Sequence, residues 1–197
     1  QRGDGLLAAG IERQSGARRL RWGRRADRGL CWPVAGWGVP LHRAPGPYGR
    51  RLPRAFPSRL SWRTLLRRRE SFRAAFAGFD VDAVAAFGEA DYERLMSDTS
   101  VVRNRLKIRA AMTNAHAVVR LRGDGGLDEL IWSFAPVGRR QPRTPADVPA
   151  TSAESIALAK ALKRNGFVFV GPTTMYATMQ ACGLVDDHLA GCFRGRG

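Results

Sequence analysis

The chain has 197 residues, 44% of them hydrophobic and 25% charged, a balance that excludes an intrinsically disordered or membrane-spanning protein and allows one sizeable core. The formal net charge is +16, which directs attention to a polyanionic partner, nucleic acid first, because Arg and Lys gain affinity by displacing counterions from phosphates. Only Lys107, Lys160 and Lys163 among the 33 basic residues are lysines, so a bias toward arginine also accounts for part of the excess. Cys31, Cys182 and Cys192 form an odd, sparse set that argues against a disulfide framework and for a reducing compartment, the cytoplasm. No apolar run reaches the roughly 18 residues of a membrane span, and the start of the chain lacks the apolar core of a signal peptide.

Residues 1–59 and 60–197 follow different rules. The first stretch holds thirteen Arg, no Lys, three acids (Asp4, Glu12, Asp27) and scattered Gly and Pro. That composition opposes regular helix and predicts mostly loop. From Ser61 onward the spacing is helical. Ser61 caps a predicted helix carrying Trp62, Leu65, Leu66, Arg69, Phe72 and Phe76, whose steps of three and four place most of the bulky side chains on one face. Asp80 caps a short helix reaching Phe87, and Ala90 to Ser97 reads as another. A long periodic run starts at Val101, passes Ile108, Met112, Ala115 and Val118, and ends near Leu121 before the glycines at 123–126. Leu127 to Phe134 is a further helix. After a Pro-rich connection over 139–149, Thr151 and Glu154 have capping-box spacing for a helix ending at Asn165, with Gly166 as terminator. Pro172 opens a last helix that Gly183 closes. The predicted architecture is all-α, with short connections between neighbouring helices.

Two groups of residues suggest chemistry. Around Ser100–Asn104, Arg103, Arg105 and Lys107 gather positive charge where two helices meet. This is either an anion site at a helix start or a plain turn with solvated basic residues. Near the end of the chain, His188 and Cys192 are four positions apart, so on a helix both would reach one face as zinc ligands. Such a pair alone is more often a coincidence of spacing.

Three stretches, Leu60-Ser61-Trp62-Arg63-Thr64-Leu65-Leu66 with Arg69-Glu70, Val101-Val102-Arg103-Asn104-Arg105-Leu106-Lys107-Ile108, and Gly166 to Tyr176 with Met179-Gln180-Ala181, resemble the bacterial 3-methyladenine DNA glycosylase I family. Asn114-Ala115 and Trp132-Ser133-Phe134 fall in the same order. The resemblance implies a helix-hairpin-helix glycosylase domain over 60–197, and the Arg/Gly/Pro-rich segment over 1–59, which departs from the family, is expected to be partly disordered or aberrant. The hairpin would be Ser100 to Asn104, with Ser100, Arg103, Asn104, Arg105 and Lys107 contacting a DNA phosphate. The implied activity is hydrolysis of the N-glycosidic bond of 3-methyladenine in double-stranded DNA containing alkylated bases, by a monomer, without strand cleavage.

The same resemblance puts Trp22, Trp37 and Trp62 at aromatic positions of the base pocket, where electron-rich rings suit a cationic methylated base. The plainer alternative is that Trp62 is the first buried residue of its helix. It makes His188 and Cys192 two of four ligands of a structural zinc, while Leu20 and Pro33 occupy the positions of the other two. Cys31 lies close in sequence as a substitute. Eight residues before Trp62 the family has a glutamate that hydrogen-bonds the base; here Arg54 stands, with Trp32 in place of an upstream tyrosine. A guanidinium donates where a carboxylate accepts and repels a cationic base. A non-catalytic DNA-binding remnant of the same fold is therefore the alternative reading.

Overall fold

The computed structural model describes residues 11–14, 17–20, 68–138 and 141–189. Strands β1 (Ile11–Gln14) and β2 (Ala17–Leu20) form an antiparallel ribbon in which Ile11 pairs with Leu20 and Gln14 with Ala17. Mostly loop is expected over residues 1–59; the ribbon takes eight of them, and the others lie outside the described residues. Neither four-residue segment contains Gly or Pro, and the intervening Ser15-Gly16 has the length and composition of a hairpin connection.

All other regular elements among the described residues are helical. Helix α1 (Arg69–Ala75) ends in a 3-10 turn at Ala77–Phe79. Asp80 then caps α2 (Val81–Ala85), its carboxylate accepting from the Ala83 N–H at 2.8 Å. Helix α3 (Glu89–Ser97) starts where the Gly88 N–H donates to Asp91. Helix α4 (Arg105–Leu121) is the longest. It begins four residues later than the periodicity from Val101 suggests, because Asn104 takes an extended conformation and accepts from the Lys107 N–H at 3.1 Å. Helix α5 (Gly126–Trp132) follows a 3-10 turn at Arg122–Asp124.

The capping box of α6 (Ala153–Arg164) is shifted by one residue from Thr151 and Glu154. Ser152 Oγ accepts from the Ser155 N–H at 3.2 Å, while Ser155 Oγ accepts from the Ser152 N–H at 2.8 Å. Gly166, at φ 82°, terminates α6: the Phe167 N–H reaches back to the Leu162 carbonyl at 3.0 Å. A side chain at Gly166 would also displace the end of the Arg120 side chain, which lies 2.7 Å from the position a Cβ would occupy. Helix α7 (Pro172–Cys182) closes at Gly183, φ 73°, as the Pro and Gly signals predict.

The helices enclose one apolar core. Phe72, Phe76, Leu95, Ile108, Ile131 and Leu158 are essentially inaccessible to solvent, each burial worth about 1.5–3 kcal/mol. The Phe72 and Phe76 rings lie 6.3 Å apart, and Phe87 packs 6.4 Å from Phe76. Helix α2 lies along α4, and α6 along α7. Two faces of the molecule are thus fixed relative to α4: the turn at its start, and the loop between α6 and α7 beside its middle.

Candidate nucleic-acid interface

The turn between α3 and α4 is built from its own polar groups. Asp98 accepts from the Ser100 N–H at 2.8 Å; the Ser100 side chain first, and this N–H second, hold the Asp98 carboxyl below the usual carboxylate range. Arg68 donates to the carbonyls of Thr99, at 3.1 Å, and Val101, at 3.4 Å. Val101 is buried and anchors the turn in the core. Asn104 caps α4, whose first amides, at Arg105 and Leu106, lack intrahelical acceptors as at any helix start. Arg103, Asn104 and Arg105 are exposed beside them. The arrangement presents helix-start N–H groups and two guanidinium groups on one turn, which is the chemistry that receives a phosphate.

Lys107 is placed differently from its neighbours. It is only 6% exposed, and burial pushes its ammonium below the ordinary lysine value. Its side chain is buried, unlike those of Arg103 and Arg105. Arg109 is drawn into an ion pair with Glu89 at 2.7 Å and lies over the Tyr92 ring at 3.8 Å, bracing α3 against α4.

Farther along α4, Asn114 grips the loop between α6 and α7. Its Nδ2 donates to the Val168 carbonyl at 3.1 Å, and its Oδ1 accepts from the Val168 N–H at 2.8 Å. Phe167 and Val170 are buried on either side, while Val168 and Phe169 between them are exposed.

The end of α7 carries a second clasp. Tyr176 and Gln180 both donate to one carboxylate oxygen of Asp187, at 2.8 and 2.7 Å. Burial, reinforced by Asp187, pushes the Tyr176 hydroxyl well above the usual tyrosine range. Beside the clasp a cavity of about 510 Å³ is lined by Pro142, Asp147, Glu154, Tyr176, Leu184 and Asp186 among others. Its acids would repel phosphate, so this side of the molecule is separate in character from the α3–α4 turn. His188 follows directly, half-buried, its N–H donating to Asp186 at 3.2 Å.

The structure therefore brings Ser100, Arg103, Asn104 and Arg105 together on one turn, with Lys107 buried. It locates His188, but Cys192, its proposed companion, lies outside the described residues, as do Cys31, Arg54, Trp22, Trp32, Trp37 and Trp62. Among the described residues there is no group of three or more His, Cys, Asp or Glu able to hold a metal, and the described cysteine, Cys182, is buried and free. Sequence reasoning missed Arg68 and the structural part of Asn114. An Asn inside a long helix favours other conformations unless its side chain has a partner, and that was the available signal for Asn114.

Comparison with known proteins gives one family. The methyladenine glycosylase model matches residues 35–195. The chain belongs to that family. It is 45% identical over 139 residues to DNA-3-methyladenine glycosylase 1 of Escherichia coli, covering 68% of this chain and 73% of that protein. DNA-3-methyladenine glycosylase of Haemophilus influenzae is 42% identical over 137 residues, 68% of this chain and 74% of that one. A crystal structure of 3-methyladenine DNA glycosylase I superimposes with a TM-score of 0.79 at 38% identity, over 86% of this chain and 95% of the other. A variant of 3-methyladenine DNA glycosylase I, solved in complex with 3-methyladenine, gives a TM-score of 0.78 at 27% identity, over 85% of this chain and 92% of the other. The helical domain is that of the glycosylases, as the resemblance in the sequence implied.

Proposed function

We propose that this chain is a DNA-3-methyladenine glycosylase, hydrolysing the N-glycosidic bond of 3-methyladenine in alkylated double-stranded DNA and leaving an abasic site. The observation that carries this reading is the family match across residues 35–195. It acts as a monomer in the cytoplasm. Extruding the damaged nucleotide costs a few kcal/mol of unstacking, and the phosphate contacts at Ser100, Arg103, Asn104 and Arg105 hold the duplex while this happens. Methylation makes the base cationic and already a good leaving group. The protein therefore contributes positioning and electrostatics, with water as nucleophile. Trp22, Trp37 and Trp62 supply the aromatic faces of the pocket. The experiment that tests the reading is release of free 3-methyladenine from methylated duplex DNA.

Arg54 favours a second reading, a DNA-binding remnant that no longer excises bases, because it stands at the base-recognising glutamate position. A zinc site is incomplete on either reading. His188 and Cys192 supply two ligands, whereas Leu20 and Pro33 cannot coordinate metal and a structural zinc takes four protein ligands.

A further inference from the structure

Arg68 reaches the turn between α3 and α4 from 31 and 33 positions earlier in the chain. Its backbone stands at the N-cap of α1, where its carbonyl accepts from the Phe72 N–H at 2.9 Å, and Phe72 is buried in the core. From this fixed base the side chain crosses to the turn. There a single nitrogen, Nη1, donates to the carbonyls of Thr99 at 3.1 Å and Val101 at 3.4 Å. The phosphate contacts assigned to Ser100, Arg103, Asn104 and Arg105 make no use of it.

Holding the fold together accounts for little of this contact. The turn has two other anchors, the Val101 side chain in the core and the bond from the Ser100 N–H to Asp98. A guanidinium that is partly exposed, as Arg68 is, adds little stability beside them. What it adds is direction. A trans peptide is planar, with its N–H opposite its C=O, so drawing the Val101 carbonyl toward Arg68 turns the Val102 N–H away from it. The N–H groups of Val102 and Arg103 donate to no acceptor among the described residues. Those of Arg105 and Leu106 follow at the start of α4, with Arg103 and Arg105 exposed beside them. Donors that are ordered before an anion arrives bind it more tightly, because their ordering is not charged against affinity. The guanidinium also offsets the partial negative charge of two carbonyl oxygens that would otherwise oppose an anion at the turn.

We infer that Arg68 is a positioning residue for phosphate binding. It holds the peptide after Val101 so that the N–H groups of the turn stay available to a DNA phosphate, and it commits its own donors to carbonyls rather than to the DNA. This deepens the reading of the turn given under the proposed function and rests on it.

The test uses the full chain, Arg68→Met, Arg68→Lys, Arg103→Ala and the double variant Arg68→Met with Arg103→Ala. Methionine removes the donors and the charge, whereas lysine keeps an ammonium able to donate to both carbonyls. Affinity for undamaged duplex DNA is read by fluorescence anisotropy across a salt series. Single-turnover excision from methylated duplex and thermal melting are measured alongside. Arg68→Met is expected to bind about threefold to tenfold more weakly, the scale of a charge-assisted hydrogen bond in a partly exposed setting. The loss falls on affinity more than on the excision rate at saturating protein, and Arg68→Lys recovers most of it. On the Arg103→Ala background the loss shrinks to below about twofold, because both residues act through one phosphate. Fully additive losses, with a salt slope reduced by about one unit in Arg68→Met, would show a phosphate contact of its own and overturn the inference. A lowered melting temperature with unaltered affinity overturns it as well and leaves Arg68 a brace of the fold. Arg68-dependent, non-additive binding without any excision keeps the inference and overturns the glycosylase reading. Absence of duplex binding by the unaltered chain overturns both.

Discussion

Asn114 and Val168, 54 positions apart in the chain, are joined by a reciprocal pair of hydrogen bonds, side-chain amide to backbone amide, at 2.8 and 3.1 Å. The pair fixes the α6–α7 loop to the middle of α4. Asn114→Ala should therefore leave two backbone groups to water and cost about 1–2 kcal/mol of folding stability. Asn114→Asp keeps the acceptor for the Val168 N–H but loses the donor to its carbonyl, and should fall between. Urea denaturation of the three proteins checks the order, and an unaltered midpoint in Asn114→Ala would remove the clasp from the account.

Arg103 is exposed on the α3–α4 turn. Arg103→Ala should weaken binding to duplexes of every sequence alike and reduce the slope of log affinity against log salt by about one unit, because a phosphate contact carries no base information. Fluorescence anisotropy across a salt series reads both quantities. A loss confined to one sequence would show that Arg103 reads bases.

The Tyr176–Asp187 clasp has a pH signature. The Tyr176 hydroxyl is raised above its ordinary value of 10.0. A raised acid stabilises the fold below the unfolded value and loses that contribution as pH rises through the folded one. Thermal stability should accordingly decline above about pH 10 with a component that Tyr176→Phe lacks. At neutral pH the same variant should lose about 0.5–1.5 kcal/mol, the worth of one hydrogen bond, with Gln180 still donating to Asp187. Identical alkaline profiles for the two proteins would mean the clasp does not form.

Purified protein should hold less than one equivalent of zinc after dialysis, since only His188 and Cys192 match the implied ligand set. Metal analysis decides this, and a stoichiometric, dialysis-resistant zinc would make Cys31 the first replacement ligand to test.

Local rules made the helices readable. Asp80, Pro172 and Gly183 each act within a turn of their own position, so the ends they set are written in a few neighbouring residues. The start of α4 was displaced because periodicity cannot tell a helical Val101 from a non-helical one buried in the same core. At α6, Ser152 and Ser155 compete with Thr151 and Glu154 for the same capping role, and one residue of shift costs little. What stayed hidden is non-local. The Arg68 contacts and the Asn114–Val168 clasp depend on chain segments meeting from a distance, which no spacing rule encodes. The basic turn from Ser100 to Arg105 was legible as a cluster through family resemblance and charge together, whereas Lys107, equally basic in sequence, is set apart by its burial.

The central claim, that this chain removes 3-methyladenine from DNA, is tested most directly by incubating methylated duplex DNA with the unaltered chain and with its Arg54→Glu variant, and measuring free 3-methyladenine by chromatography. The account predicts release above the spontaneous rate by the unaltered chain. Arg54→Glu should raise it by about one to two decades, the effect of restoring a charged hydrogen bond worth about 1.5–3 kcal/mol in the transition state. Release no faster than in protein-free DNA from both proteins would contradict it.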